Sequence, residues 1–201
     1  MTTVASPTTQ PTMPEKARPQ HGSWRSSDLD LLPENGTRYE IIQGELFMSK
    51  SPHWHHQAAC TKVAAQLMLW SESSGNGQAV VTPGVIFTDA NDVIPDVVWV
   101  SNERLALLMD DAGHLTGAPE LVIEVLSFGT RNEERDRTAK RKLYETQGVR
   151  EYWILDWRLK QIEVYRREEG ELRLVTTLLP EETLTSLLLP GFSCRVSSLF
   201  S

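Results

Sequence analysis

Three side chains have the types and spacing of a divalent-metal phosphodiesterase site. Asp96 heads the apolar run 94–100 (IPDVVWV), Glu124 stands inside the apolar run 121–126 (LVIEVL), and Lys140 follows on a charged segment. Hydrolysing a phosphodiester at neutral pH needs a hydroxide to attack and something to absorb charge on the phosphoryl and leaving oxygens. Mg²⁺ does both, and it takes hard oxygen ligands while keeping several waters. Asp96 and Glu124 would be its carboxylate ligands, with the carbonyl of Val125 as a third. The Lys140 ammonium would lower the pKa of the attacking water and stabilise the transition state.

The elements that must position these groups follow from the pattern. Residues 121–126 read as a buried central strand and residues 151–156 (EYWILD) as a second one. Between them a polar turn and a charged segment, stopped by Gly148, predict a helix over 132–147. Strand, helix and strand in that order make a crossover unit with the two strands parallel. Asp136, Lys140 and Tyr144 are spaced i, i+4, i+8 and share the helix face that can look back at Glu124. Pro95 suits the start of the Asp96 strand, because it has no N–H to give the ladder.

Each group also has a plainer reading. Asp96 after a proline can simply accept a turn hydrogen bond. A carboxylate between Ile123 and Val125 must be paired, protonated or metal-bound, and pairing with Lys140 alone would satisfy it. Asp136 with Lys140 can be an ordinary helix pair, and the other charges of 131–142 read as a solvated helix face. His53, His55 and His56 lack zincin spacing and read as surface or capping residues at a helix start.

A chain of 201 residues with 40% hydrophobic content fits one domain, 24–201, behind a Thr/Pro/Ser/Gln-rich tail over 1–23 that is expected to be disordered. The tail lacks the apolar run of a secretory signal and no later stretch approaches a membrane span, so a cytoplasmic protein without membrane contact is expected. Cys60 and Cys194 read as reduced packing cysteines. Net charge is −7; residues 1–27 contribute +2, leaving −9 on the rest, which argues against non-specific coating of nucleic acid but not against a nuclease with a local basic patch. No Walker A or GxGxxG turn is present, and no nucleotide cofactor is expected.

The remaining patterns predict a hairpin around Gln43-Gly44, a long helix over 53–74, and short strands at 78–81 and 85–87 forming an antiparallel meander. A second hairpin is expected around residues 168–170. The fold class expected is α/β (α+β), a mixed sheet flanked by helices.

Taken in order, Tyr39-Glu40-x-x-x-Gly44-Glu45, His56-Gln57, Pro95-Asp96-Val97-Val98, the 121–127 strand, Asp136-x-x-x-Lys140-x-x-x-Tyr144 and 148–153 (GVREYW) resemble one family over residues 27–201. It is the bacterial Uma-two family of restriction endonucleases, a branch of the PD-(D/E)XK nuclease superfamily. The resemblance implies a restriction-endonuclease-like fold and a Mg²⁺-dependent DNA endonuclease, with Mn²⁺ as a substitute metal. Asp96 and Glu124 match the two acids. The parent motif places its lysine two residues after the second acid, which here is Leu126; in this branch Lys140 on the following helix matches it. Glu45 and His56 fall where the family keeps polar residues and are expected to complete the site, with Asp136 and Tyr144. The chain departs from the family in having 127–130 as SFGT rather than Ser-Pro-Ser-Thr. A two-fold homodimer would let two sites address two DNA strands. The competing expectation is an inactive nuclease-fold module that binds nucleic acid or protein and keeps Glu124 and Lys140 as a buried structural pair.

Overall fold

The computed structural model describes residues 22–200, so the tail expected over 1–23 lies, but for Gly22 and Ser23, outside the described residues. A one-turn helix, α1 (Ser26–Leu29), opens the fold; the Arg25 N–H donates to the Asp28 carboxylate at 2.9 Å. Strands β1 (Arg38–Ile42) and β2 (Glu45–Ser49) pair through a two-residue turn. Gln43 and Gly44 both have positive φ (52° and 76°), the mirror-image turn that matches strand twist. Helix α2 (Trp54–Ser74) starts at His53, whose Nδ1 accepts the His55 N–H, and stops at left-handed Gly75.

Strands β3 (Gly77–Val81), β4 (Val85–Thr88), β5 (Asn91–Val93) and β6 (Val97–Ser101) follow, then helix α3 (Asn102–Leu108) and strand β7 (Leu121–Val125). The crossover is α4 (Thr130–Glu134), a π-helical segment (Arg135–Lys140) and α5 (Arg141–Gln147), ended by left-handed Gly148. Strands β8 (Glu151–Asp156), β9 (Gln161–Glu168), β10 (Glu171–Leu178), β11 (Thr183–Thr185) and β12 (Ser193–Arg195) complete the sheets, and a 3₁₀ turn (Val196–Leu199) follows them.

Six strands form the main sheet in the order β10-β9-β8-β7-β6-β3. Only β7 and β8 are parallel, as a helical crossover requires, so the sheet is mixed. A second sheet, β2-β1-β5-β4, covers part of one face. The expected meander is therefore corrected: β3 pairs with β6, whereas β4 leaves for the second sheet after the Pro83-Gly84 break and pairs with β5.

Side chains alternate across β7 with period two. Leu121, Ile123 and Val125 pack against Val63 and Leu67 of α2, with Trp153 and Phe192 in the same core. Val122 and Glu124 point to the other face, toward Leu143 and Tyr144 of α5 and the second sheet. A regular helix was expected over 132–147; instead the middle is π-helical. Its wider turn brings Arg135, Asp136 and Lys140 to the sheet side together, and all three are withdrawn from solvent.

Candidate active site

The antiparallel register Trp99↔Leu121, Val98↔Val122, Val97↔Ile123 stops one step short of Asp96 and Glu124, which its continuation would set opposite each other. Where the ladder ends, the Asp96 side chain takes over the backbone donor: Val125 N–H donates to Oδ2 at 2.9 Å. His56 Nε2, from the first turn of α2, meets the same oxygen at 3.2 Å, and Arg38 Nη1 of β1 meets Oδ1 at 3.2 Å. Asp96 is 4% exposed.

Glu124 is met from the helix. Lys140 Nζ lies 2.9 Å from Oε1 and the Tyr144 hydroxyl donates to the same oxygen at 2.7 Å. Lys140, 1% exposed, also pairs with Glu40 Oε1 of β1 at 2.8 Å. That oxygen accepts the Ile94 N–H as well, and Arg135 stands 3.8 Å from Oε2. Arg135 in turn donates to Asp136 and to Ser49 Oγ, and Tyr152 donates to the Asp136 carbonyl.

Four buried carboxylates thus gather near three permanent cations, Arg38, Arg135 and Lys140. Burial opposes ionisation of each acid, and the partners decide the outcome. Burial of Asp96 is outweighed by the hydrogen bond and charge of His56, then Lys140 and the Val125 N–H, which hold its carboxyl well below the usual range. Glu40 is also held low, because Lys140, Arg135 and the Ile94 N–H outweigh its burial. Burial pushes Glu124 up to about 8; Lys140 opposes this, while Asp96, Asp136 and Glu40 reinforce it. Burial pulls the Lys140 ammonium down, but Glu124 and Glu40 more than restore it, so it stays charged.

These residues border one small cavity of about 30 Å³, walled by Asp96, Glu124, Val125, Lys140, Arg135 and His56. A family profile described as "Putative restriction endonuclease", Uma2, matches residues 26–197. The chain belongs to the Uma2 family. Among solved structures it is similar to a protein of Anabaena variabilis ATCC 29413 described as "a putative nuclease belonging to DUF820". The two are 18% identical, and the match covers 88% of this chain and 97% of that one, with a TM-score of 0.69. That likeness shows the restriction-endonuclease-like fold. The type IIG restriction endonuclease BpuSI also matches, with 15% identity over 76% of this chain and 16% of that one, but a TM-score of 0.39 carries no argument. No curated protein matches significantly.

Within the Uma2 domain, the structure brings together Asp96, Glu124, Val125, Lys140, His56, Asp136 and Tyr144. Leu126, where the parent motif has its lysine, is buried in the core. Glu45 is not brought in: it is exposed at the turn end of the β1–β2 hairpin, opposite Ile42, while Ser49 at the other end lines the cavity. Glu40 takes the place expected of Glu45, carried inward by strand alternation beside Ile41 and Ile42. A carboxylate embedded in an apolar strand was the signal that singled out Glu124, and it was equally present at Glu40. The solvated-face reading of residues 131–142 fails for Arg135 and Asp136, because the π turn rotates them inward.

The donor set suits a hard cation. Asp96 and Glu124 offer carboxylate oxygens to a cavity with room for an ion or a water. His56, Cys60 and Asp96 have ligand atoms within 4.8 Å of one another, the spacing of a softer site. However, His56 turns Nε2 to Asp96 and Nδ1 to the Cys60 sulfur, so one ion cannot use both, and burial pushes the Cys60 thiol far up, away from the thiolate a metal needs.

Proposed function

We propose that this Uma2 protein is a divalent-metal-dependent DNA endonuclease. The observation that carries the reading is the meeting of Asp96, Glu124 and the Lys140 ammonium on one buried cavity. Asp96 and Glu124 would hold Mg²⁺ or Mn²⁺, with the Val125 carbonyl as a third ligand. Such a cation supplies Lewis-acid stabilisation of charge on the phosphoryl and leaving oxygens. His56 and the Val125 N–H hold Asp96 ionised and fix its orientation. Lys140, kept protonated by two carboxylates, acts as a fixed positive charge toward the developing oxyanion and not as a base. Lys140 itself is withdrawn from solvent, which strengthens that charge. DNA as substrate, a two-fold dimer and a cytoplasmic setting belong to the same proposal.

The test is calorimetric titration of Mg²⁺ and Mn²⁺ into the wild type and Asp96→Asn, with plasmid cleavage followed in parallel and circular dichroism to check folding. Binding and cleavage by the wild type that vanish in the folded variant support the reading. A wild type that cleaves nothing with either metal present sinks it.

A second reading rests on the depth of Lys140 and its saturation by Glu40 and Glu124. In it the pair is purely structural, and the domain binds nucleic acid or protein without cutting. Plasmid cleavage by the wild type separates the two readings; where it cuts, Lys140→Met assigns the lysine, since abolished cleavage with metal binding retained favours catalysis and cleavage at the wild-type rate removes Lys140 from the mechanism.

A further inference from the structure

Beside the catalytic cavity lies a group of rings that the proposed chemistry leaves unused. His53 stacks on Trp157 with centroids 4.8 Å apart and planes 7° apart, and Phe128 meets Trp157 edge-on at 5.1 Å. Phe128 is 57% exposed and His53 and His55 are exposed, so these rings face solvent. They are tied to the cavity by the chain. Pro52 and Ser127 line it and His53 and Phe128 follow them directly; His55 precedes His56; and Trp157 Nε1 donates to the Leu126 carbonyl at 3.0 Å.

Trp157 and His55 are also walls of a second pocket, of about 330 Å³, with Lys62, Arg158, Lys160 and Phe200. Among the described residues no carboxylate lines it, although Arg158 is held by Asp156 and Glu133. On a chain of net charge −7 this is a local reversal of sign. An aromatic wall beside cationic side chains, with room for a nucleotide, is the chemistry that holds an unstacked base and its phosphate.

We infer that this pocket takes an unpaired nucleotide of the DNA strand presented to the catalytic cavity, its base against Trp157 and His55 and its phosphate toward Lys160. The substrate would then be DNA with a single-stranded segment beside the cut. This deepens the nuclease reading and rests on it for the identity of the strand, while the binding itself needs no metal.

The test is fluorescence anisotropy on the full chain in EDTA, using labelled oligothymidylate and a blunt duplex of equal length. The wild type is expected to prefer oligothymidylate. His55→Ala and Lys160→Glu, both at exposed positions, are each expected to weaken that binding about 10-fold. Lys142→Glu, which lines a different surface beside β10, is expected to leave it unchanged. No binding of oligothymidylate overturns the inference, as does an equal loss on blunt duplex or an effect of Lys160→Glu without one of His55→Ala. Plasmid cleavage by the wild type with Mg²⁺ or Mn²⁺, run alongside, reports on the nuclease reading separately: cleavage without oligothymidylate binding removes only the pocket, and binding without cleavage removes only the nuclease.

Discussion

Lys140 Nζ lies 2.8 Å from Glu40 Oε1, so the lysine of the crossover helix bridges the second sheet to Glu124 on the main one. Removing the ammonium leaves two buried carboxylates facing each other without a cation between them. Lys140→Met, which keeps much of the side-chain volume, is expected to cost about 3–5 kcal/mol at pH 8. The cost is expected to shrink at pH 5, because Glu40, which Lys140 holds ionised in the wild type, can then take up a proton. Urea unfolding at both pH values checks this; an equal loss at each would assign the effect to packing and not to charge.

Glu124 carries its own pH signature. Burial raises its carboxyl from an ordinary 4.5 to about 8, so the unfolded chain gives up this proton first. The stability tied to the neutral carboxyl is full below pH 4.5, declines as pH rises, and is gone once the folded carboxyl has ionised near pH 8. Relative to Glu124→Gln, the wild type is therefore expected to lose stability between those values, by on the order of a few kcal/mol, and to run parallel above them. Thermal or urea unfolding of the two proteins across pH 4–9 reads the difference directly. Parallel curves throughout would place the Glu124 carboxyl at its ordinary value.

Much of this arrangement was legible in the chain because it rests on local rules. Alternation and turn glycines located both hairpins, the i, i+4, i+8 series put Asp136, Lys140 and Tyr144 on one face, and an acid inside 121–126 marked Glu124. What was not legible depends on tertiary placement. No local rule sends β4 away from β3 into a second sheet, or turns the middle of the crossover helix into a π segment. Those two events bring in Glu40 and Arg135: Arg135 looks in sequence like one charge among many, and Glu40, although set among Tyr39, Ile41 and Ile42 like Glu124 in its own strand, has no local rule that turns it toward Lys140.

His56 is expected to act through Asp96. Its Nε2 lies 3.2 Å from Oδ2, and this contact leads the forces that overcome burial and keep the carboxyl ionised. His56→Ala lets that carboxyl rise toward its ordinary 3.8 and frees its orientation. Divalent-ion affinity at pH 7 is expected to fall about 10–100-fold, the usual effect of removing an outer-shell partner, with the circular dichroism spectrum preserved. Calorimetry with Mn²⁺ measures it. An unchanged affinity would show that Val125 and Arg38 suffice to hold Asp96.

Tyr144 gives the finer test of Glu124. Burial and the adjacent Glu124 charge push its phenol well above its ordinary range, so the hydroxyl remains a donor to Oε1 at 2.7 Å. Tyr144→Phe removes that donor while retaining the ring packed edge-on to Phe87 and Tyr152. Lys140 still satisfies the oxygen, so the stability cost is expected to be only about 1 kcal/mol. With one donor fewer, ionised Glu124 is less favoured and its carboxyl rises further. Because a cation must displace that proton, divalent affinity is expected to increase with pH through about 8 in the wild type and to reach its plateau at higher pH in the variant. Superimposable pH profiles would mean that Glu124 does not exchange its proton for the metal.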